Sequence, residues 1–223
     1  MIPVRPAPEP PDFDRKVRQP GLSAIAELVG EPPTIPRPGP RRQKIADHRE
    51  EIPSESFPDF WRKAIGDMMR AYDRICAYMA IWIEEVTGVG TIDHMIPRSV
   101  DWNHVYEWDN YRLACSLMNS RKNDAIAVLD PFQVEPGWFE LDLVGMQVRA
   151  SGTVSPNIRD RLERTIERLR LNENDCRAAR RVYFENYLDQ SISYTYLCRR
   201  APFLAREIRR QGFLRNGDQE SPP

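Results

Sequence analysis

A short central segment of the chain carries the side chains best suited to chemistry. Asp93 precedes His94, and Asn110, Asn119 and Lys122 follow. Hydrolysis of a phosphodiester bond needs a base that deprotonates water, and a histidine with a near-neutral pKa suits that step. The reaction also needs neutralisation of the developing negative charge, which a hard cation held by a few oxygen ligands supplies. The segment therefore offers a base, two oxygen ligands and a cationic side chain.

Two short strands and a helix are predicted to position these residues. Residues 91–96 are flanked by glycine and proline, and residues 111–115 form a second short apolar run, so both are typical of strands. A helix is predicted to begin in the segment 116–122, directly after the second strand. That helix can bring Asn119 back across the site, with Lys122 near one turn further on.

The neighbouring positions of Asp93 and His94 impose a condition on this site. Successive residues of a strand point to opposite faces, so both side chains reach one site only if the end of the strand is twisted or bulged. The ligand set also has alternatives, because Asn123 and Asp124 follow in the same segment and could replace Asn119.

The segment resembles the motif of the HNH endonucleases, whose ββα-metal fold holds one divalent ion between a hairpin and a helix. Asp93-His94, Asn110, and Asn119 with Lys122 match that motif. The resemblance implies that Asp93 and Asn119 ligate one Mg²⁺, with Mn²⁺ as a substitute, and that His94 activates water. It also implies that Asn110 holds the loop and orients His94. The surrounding residues are similar to those of small bacterial HNH proteins, some of which are encoded in phage-defence cassettes.

Basic side chains near the motif are candidates for binding substrate phosphates. Arg98 follows a proline in the loop and Arg121 lies in the predicted helix, so we assign both to substrate binding. For Arg98 an ordinary solvent-exposed role is an equal alternative. The two other histidines of the chain, His48 and His104, are expected in an exposed position and in a structural loop position.

Two cysteine-containing segments depart from the HNH pattern. Many HNH proteins frame the hairpin with two Cys-x-x-Cys pairs that bind a structural zinc. Here Cys76 is followed by Met79 and Cys115 by Met118, so each pair has lost one thiolate. Because a thioether is a poor zinc ligand and methionine fills apolar cores well, we expect a small apolar cluster and no structural zinc.

The fold class predicted from these patterns is α+β, with a ββα-metal HNH core, a helical N-terminal flank, a β-hairpin and a helical C-terminal region. The flanking helix is predicted to start near Pro58 and run toward Tyr72, and C-terminal helices are predicted after Pro156, from about Asn174 to Leu188, and near Pro202–Arg210. The proline-rich start is interpreted as an arm that docks on a partner or on the protein itself, since Phe13, Leu22, Ile25 and Leu28 offer apolar anchors. The predicted parts are a proline-rich arm (1–52), the HNH core (53–130), a hairpin with C-terminal helices (131–215) and a disordered tail (216–223).

Composition and charge limit the classes of partner that the chain is expected to bind. The net charge of −1 is not typical of a protein that coats nucleic acid, although arginines outnumber acidic residues after Ser151. No apolar run could span a bilayer and the start lacks a secretory signal, so we expect a cytoplasmic protein with no membrane partner. DNA is favoured over RNA as substrate. An ATPase or a second copy of the chain is a candidate protein partner, and a subunit that binds without cutting is the alternative function.

Overall fold

The chain combines helices with two small antiparallel sheets, and it therefore has the predicted α+β class. The computed structural model describes residues 1–218. The helices and strands within these residues are α1 (Gln19–Leu28), α2 (Ile65–Ala71), β1 (Gly90–His94), β2 (Tyr111–Cys115), α3 (Ser116–Lys122), β3 (Phe139–Asp142), β4 (Gln147–Ala150), α4 (Pro156–Arg168), α5 (Asn174–Leu188), α6 (Tyr194–Arg200) and α7 (Pro202–Arg210). Within residues 1–218, no helix is both long enough and apolar enough to cross a bilayer.

Strands β1 and β2 pair antiparallel, and α3 begins directly after β2. The register sets His94 opposite Tyr111 and Asp93 opposite Arg112. The bounds of β2 agree with the prediction, and α3 occupies the segment where a helix was expected to begin. Strand β1 starts one residue earlier than predicted and ends at His94. In the loop that follows, the backbone N–H of Met95 donates to the Asn110 carbonyl (2.8 Å). Helices α2 and α3 both contact the two strands, so the small sheet is covered by helices.

The N-terminal arm docks on the protein's own surface. Phe13 and Ile25 are buried, and the Phe13 ring packs edge-on against Trp108 (5.6 Å between ring centres). Gly21 in α1 lies so close to Tyr106 that a Cβ atom there would be 2.3 Å from the ring, so only glycine fits. Among the predicted anchors, Leu22 is the exception, because it remains 38% exposed.

The helix predicted from Pro58 to Tyr72 is shorter than expected. Residues Phe60–Ala64 form a 3₁₀ helix, and only Ile65–Ala71 is α-helical. Asp59 precedes the first turn without a side-chain capping hydrogen bond, and uncapped first turns often tighten into 3₁₀ geometry.

The C-terminal part begins with the predicted hairpin. Its strands β3 and β4 pair antiparallel, and Phe139 lies opposite Ala150. Helices α4, α5 and α7 lie where the apolar spacing predicts them, whereas α6 was not predicted. Asp218 accepts hydrogen bonds from Tyr187 and Arg215. The rest of the predicted disordered tail, residues 219–223, lies outside the described residues.

Candidate active site

His94 is a buried histidine whose hydrogen bond fixes its tautomer. Its ring lies between the edges of Trp61 (5.0 Å between ring centres) and Tyr111 (5.2 Å), and Nε2 lies 2.9 Å from the carbonyl oxygen of Val105. Because a carbonyl only accepts, Nε2 carries the hydrogen and Nδ1 keeps its lone pair. Burial lowers the pKa of His94 to about 3, and the charges of Arg98 and Lys122 act in the same direction. The ring is therefore neutral near pH 7 and can accept a proton at Nδ1.

Asp93 is a buried carboxylate held at both oxygens. The Tyr78 hydroxyl donates to Oδ2, and the Lys122 ammonium lies 3.1 Å from Oδ1. Burial raises the pKa of Asp93 to about 6, while the charge of Lys122 and the hydrogen bond from Tyr78 oppose that rise. The carboxylate is therefore ionised in most molecules at neutral pH and has one orientation.

Lys122 does not occupy the catalytic position that the sequence suggested. Its side chain is 0% exposed, and Nζ donates to the backbone oxygen of His94 (2.7 Å) while it pairs with Asp93. It does not line the cavity beside these residues. An ammonium that is buried between a carboxylate and a carbonyl cannot reach a phosphate. Lys122 is a positioning residue for Asp93 and His94.

A cavity of about 610 Å³ runs along the edge of β1, and every residue of that strand lines it. Asp93 and His94 therefore border the same cavity although they are neighbours on the strand. Asn119 also lines the cavity, and its Nδ2 lies 3.3 Å from the Ile92 oxygen, which leaves Oδ1 as the other polar atom of that amide. The remaining polar lining residues are Asp59, Arg62, Thr91, Arg98, Ser116, Ser120, Asn123 and Asp124.

Asn110 holds the loop that connects β1 to β2. Its Oδ1 accepts from the N–H of Ile96 (2.7 Å), and its Nδ2 donates to the carbonyls of Ile96 (3.0 Å) and His104 (2.9 Å). The His104 carbonyl precedes Val105, whose own carbonyl receives the His94 hydrogen bond. Asn110 therefore acts on the imidazole through the loop and does not itself line the cavity.

The two arginines assigned to substrate binding have different positions. Arg98 lines the cavity, donates to the Ser54 oxygen (3.0 Å) and stacks over Trp61 (4.8 Å to the ring centre). Arg121 is held instead by Glu173 (3.0 Å) and Asp175 (2.7 Å) and does not line the cavity. The structure therefore gives no support to a substrate-binding role for Arg121, because two carboxylates already neutralise its guanidinium away from the cavity.

Several contributors to the site were missed in the sequence. Tyr78 belongs to the Cys76–Met79 segment, whose pattern indicates only a zinc motif that has lost a thiolate, and Trp61 lies in the flanking segment before β1, where its sequence neighbours indicate no role at the site. The backbone N–H of Ala77 donates to the Leu113 oxygen (2.8 Å), which brings that segment against β2. No sequence signal links Tyr78 to Asp93, since the two residues meet only through this long-range pairing.

The cysteine segments form a sulfur-containing cluster in the core. The Sγ atoms of Cys76 and Cys115 lie 3.8 Å apart as free thiols, and Met79 and Met118 are buried. Across residues 1–218 no group of three or more histidine, cysteine, aspartate or glutamate side chains is arranged to hold a metal ion.

The donors beside His94 are oxygen donors and would suit a hard cation. Mg²⁺ is commonly bound through one or two carboxylates and keeps several of its waters, so it does not require a dense cluster of acidic side chains. The Asp93 carboxylate and the Asn119 amide line the same cavity, which has space for water. The residues present therefore fit a weakly ligated, largely hydrated divalent ion.

Comparison with known protein families and with curated proteins finds no match for this chain.

Proposed function

We propose that the protein is a metal-dependent endonuclease of the HNH type, which hydrolyses phosphodiester bonds and prefers DNA to RNA. The observation that carries the proposal is the convergence of three groups on one cavity. These are the side chains of His94, whose Nε2 is bound to the Val105 carbonyl, of Asp93, which Lys122 orients, and of Asn119.

Each residue of the site has a separate role in the proposed reaction. His94 takes a proton from the attacking water at Nδ1, and the Val105 carbonyl stabilises the imidazolium that forms. A phosphate beside the ring raises the pKa of His94 from its low value, because an anion favours the protonated form. Arg98 lines the cavity and contributes positive charge toward the substrate phosphates.

Asp93 and Asn119 would hold a bound Mg²⁺ or Mn²⁺ together with water. When bound, the ion supplies neutralisation of the charge that develops on the phosphate and on the leaving oxygen. Lys122 and Tyr78 keep the Asp93 carboxylate in one orientation, so little reorganisation is needed when ion and substrate enter. By the HNH resemblance, the products carry a 5′-phosphate and a 3′-hydroxyl.

The test uses purified protein with supercoiled plasmid and, separately, with single-stranded RNA, in Mg²⁺, in Mn²⁺ and in EDTA. We expect nicking of the plasmid in either metal and none in EDTA. Asp93→Asn removes the charge of the metal ligand at constant size and should abolish nicking. Asp47→Asn is the matched control, because Asp47 is an exposed aspartate that pairs with the nearby Lys44 and should keep wild-type activity.

The contrary result would be a folded wild-type protein that cuts neither substrate in any metal. If such a protein still bound DNA in EDTA, the alternative of a non-cleaving subunit would replace the nuclease proposal.

A further inference from the structure

A second, larger cleft adjoins the candidate active site. It has a volume of about 1050 Å³, and Ile65 and Gly90 line both it and the catalytic cavity. Its far wall comes from the junction of α6 and α7, where Cys198 to Arg200 and Pro202 face it. The two cavities therefore adjoin at Ile65 and Gly90.

The cleft carries an excess of positive charge. Four arginines line it, against the two carboxylates of Asp73 and Glu85. The lining arginines are Arg70, Arg74, Arg199 and Arg200. Within residues 1–218, no carboxylate pairs with Arg199 or Arg200, whereas Arg70 pairs with Asp67 and Arg74 lies 3.6 Å from Glu85. Uncompensated guanidinium groups beside a proposed nuclease site are suited to phosphate oxygens.

The aromatic residue of the cleft is already covered. The guanidinium groups of Arg200 and Arg74 lie over the Trp82 ring, at 3.4 Å and 4.9 Å from its centre. The stacked arginines compete with any base for the ring, so the cleft offers charge and no free stacking platform. Contacts of this kind go to the sugar–phosphate backbone and carry no direct sequence information.

We propose that this cleft binds the sugar–phosphate backbone of the substrate strand next to the scissile bond, without sequence preference. The proposal rests on the nuclease function above, because the cleft takes its substrate from the catalytic cavity that it adjoins at Ile65 and Gly90. The C-terminal helix α6 thereby contributes to the substrate path although it lies far from the catalytic segment in the sequence.

The test measures binding in EDTA, so that cleavage does not interfere. Fluorescence anisotropy gives the Kd for labelled double-stranded DNA, and for RNA of the same sequence, at several NaCl concentrations. The variant is Arg199→Gln with Arg200→Gln, which removes the two cleft guanidinium groups that no carboxylate within residues 1–218 pairs with, and both residues lie outside the catalytic cavity. The matched control is Arg159→Gln with Arg164→Gln, which removes the same charge from exposed positions on α4.

We expect the cleft variant to bind DNA about tenfold more weakly and the slope of log K against log[NaCl] to become shallower by about 2, since each phosphate contact contributes about 0.9. The control should differ from wild type by less than twofold. Equal Kd values and slopes for the two double variants would overturn the proposal, as would a wild type that binds neither DNA nor RNA. If the wild type cuts DNA but the cleft variant has the wild-type salt slope, the cleft proposal is refuted and the nuclease function stands. If the cleft variant has a shallower slope but the wild type never cuts, the nuclease function is refuted and the cleft proposal stands.

Discussion

Replacement of Lys122 by methionine tests whether the buried ion pair positions the site. The substitution keeps a long, unbranched side chain of similar volume but leaves Asp93 without its cation and the His94 carbonyl without a donor. Burial raises the pKa of Asp93 from 3.8 to about 6 even though Lys122 lies in contact with it. This rise means that the folded protein disfavours the ionised form of Asp93, relative to water, by about 3 kcal/mol. Removal of one partner from a buried pair typically costs about 3–5 kcal/mol, and we expect that loss in the free energy of unfolding at pH 8.

The loss should depend on pH in one direction. The folded-state pKa of Asp93 lies above its ordinary value. The favourable contribution of Asp93 to the free energy of unfolding is therefore complete below pH 3.8 and is lost as the pH rises through about 6. Without Lys122 the folded-state pKa is higher still, so near pH 5 the variant carries a neutral carboxyl. Only the missing hydrogen bond to His94 then remains, and the expected loss falls to about 1–2 kcal/mol.

The assay is urea unfolding followed by far-UV circular dichroism at pH 5 and pH 8, in EDTA. Lys44→Met is the matched control, because Lys44 pairs with Asp47 at the surface and should cost less than about 1 kcal/mol at either pH. A Lys122→Met variant that behaves like this control at pH 8, or that loses the same free energy at both pH values, would refute the role assigned to the buried pair.

Three further substitutions probe the surroundings of the site. Tyr78→Phe removes a donor from the buried Asp93 carboxylate and should cost about 1–3 kcal/mol in urea unfolding at pH 8; an unchanged midpoint would contradict this. Asn110→Ser releases the loop that carries the His94 acceptor and should slow plasmid nicking about 10–100-fold, whereas a change within twofold would show that the loop holds without it. The hydrogen bond from Cys76 lowers the pKa of Cys115 to about 7, so the rate at which iodoacetamide alkylates Cys115 should rise through pH 7 and level off above it. Cys76→Ala should move the midpoint of this pH profile toward 9. A wild-type midpoint near 9 would argue against the thiol contact.

Much of the catalytic segment could be predicted from local patterns. A short run bounded by Gly90 and Pro97 marks β1, a second short apolar run marks β2, and α3 follows at the predicted residue. The loop-holding function of Asn110 was expected from the HNH resemblance, and its three hydrogen bonds to backbone atoms perform that function. These features depend on a few neighbouring residues, and for that reason the sequence alone could indicate them.

The positions of the basic side chains could not be predicted in the same way. Arg121 and Lys122 are neighbours on α3, and the sequence does not say which of them turns toward Asp93. The answer depends on residues elsewhere in the chain, because Glu173 and Asp175 hold Arg121 while the buried carboxylate attracts Lys122. Helix α6 was missed for a related reason, since its seven residues show little periodicity and packing supplies most of the stability of short helices.

The most direct test of the central claim compares the rates at which two histidine variants nick supercoiled plasmid in Mg²⁺. His94→Ala removes the proposed base, and His48→Ala removes an exposed histidine outside the cavity. If His94 is the base, its variant should be slower by about 10²–10⁴-fold while His48→Ala matches the wild type. A folded His94→Ala protein that nicks the plasmid at the wild-type rate would contradict the account.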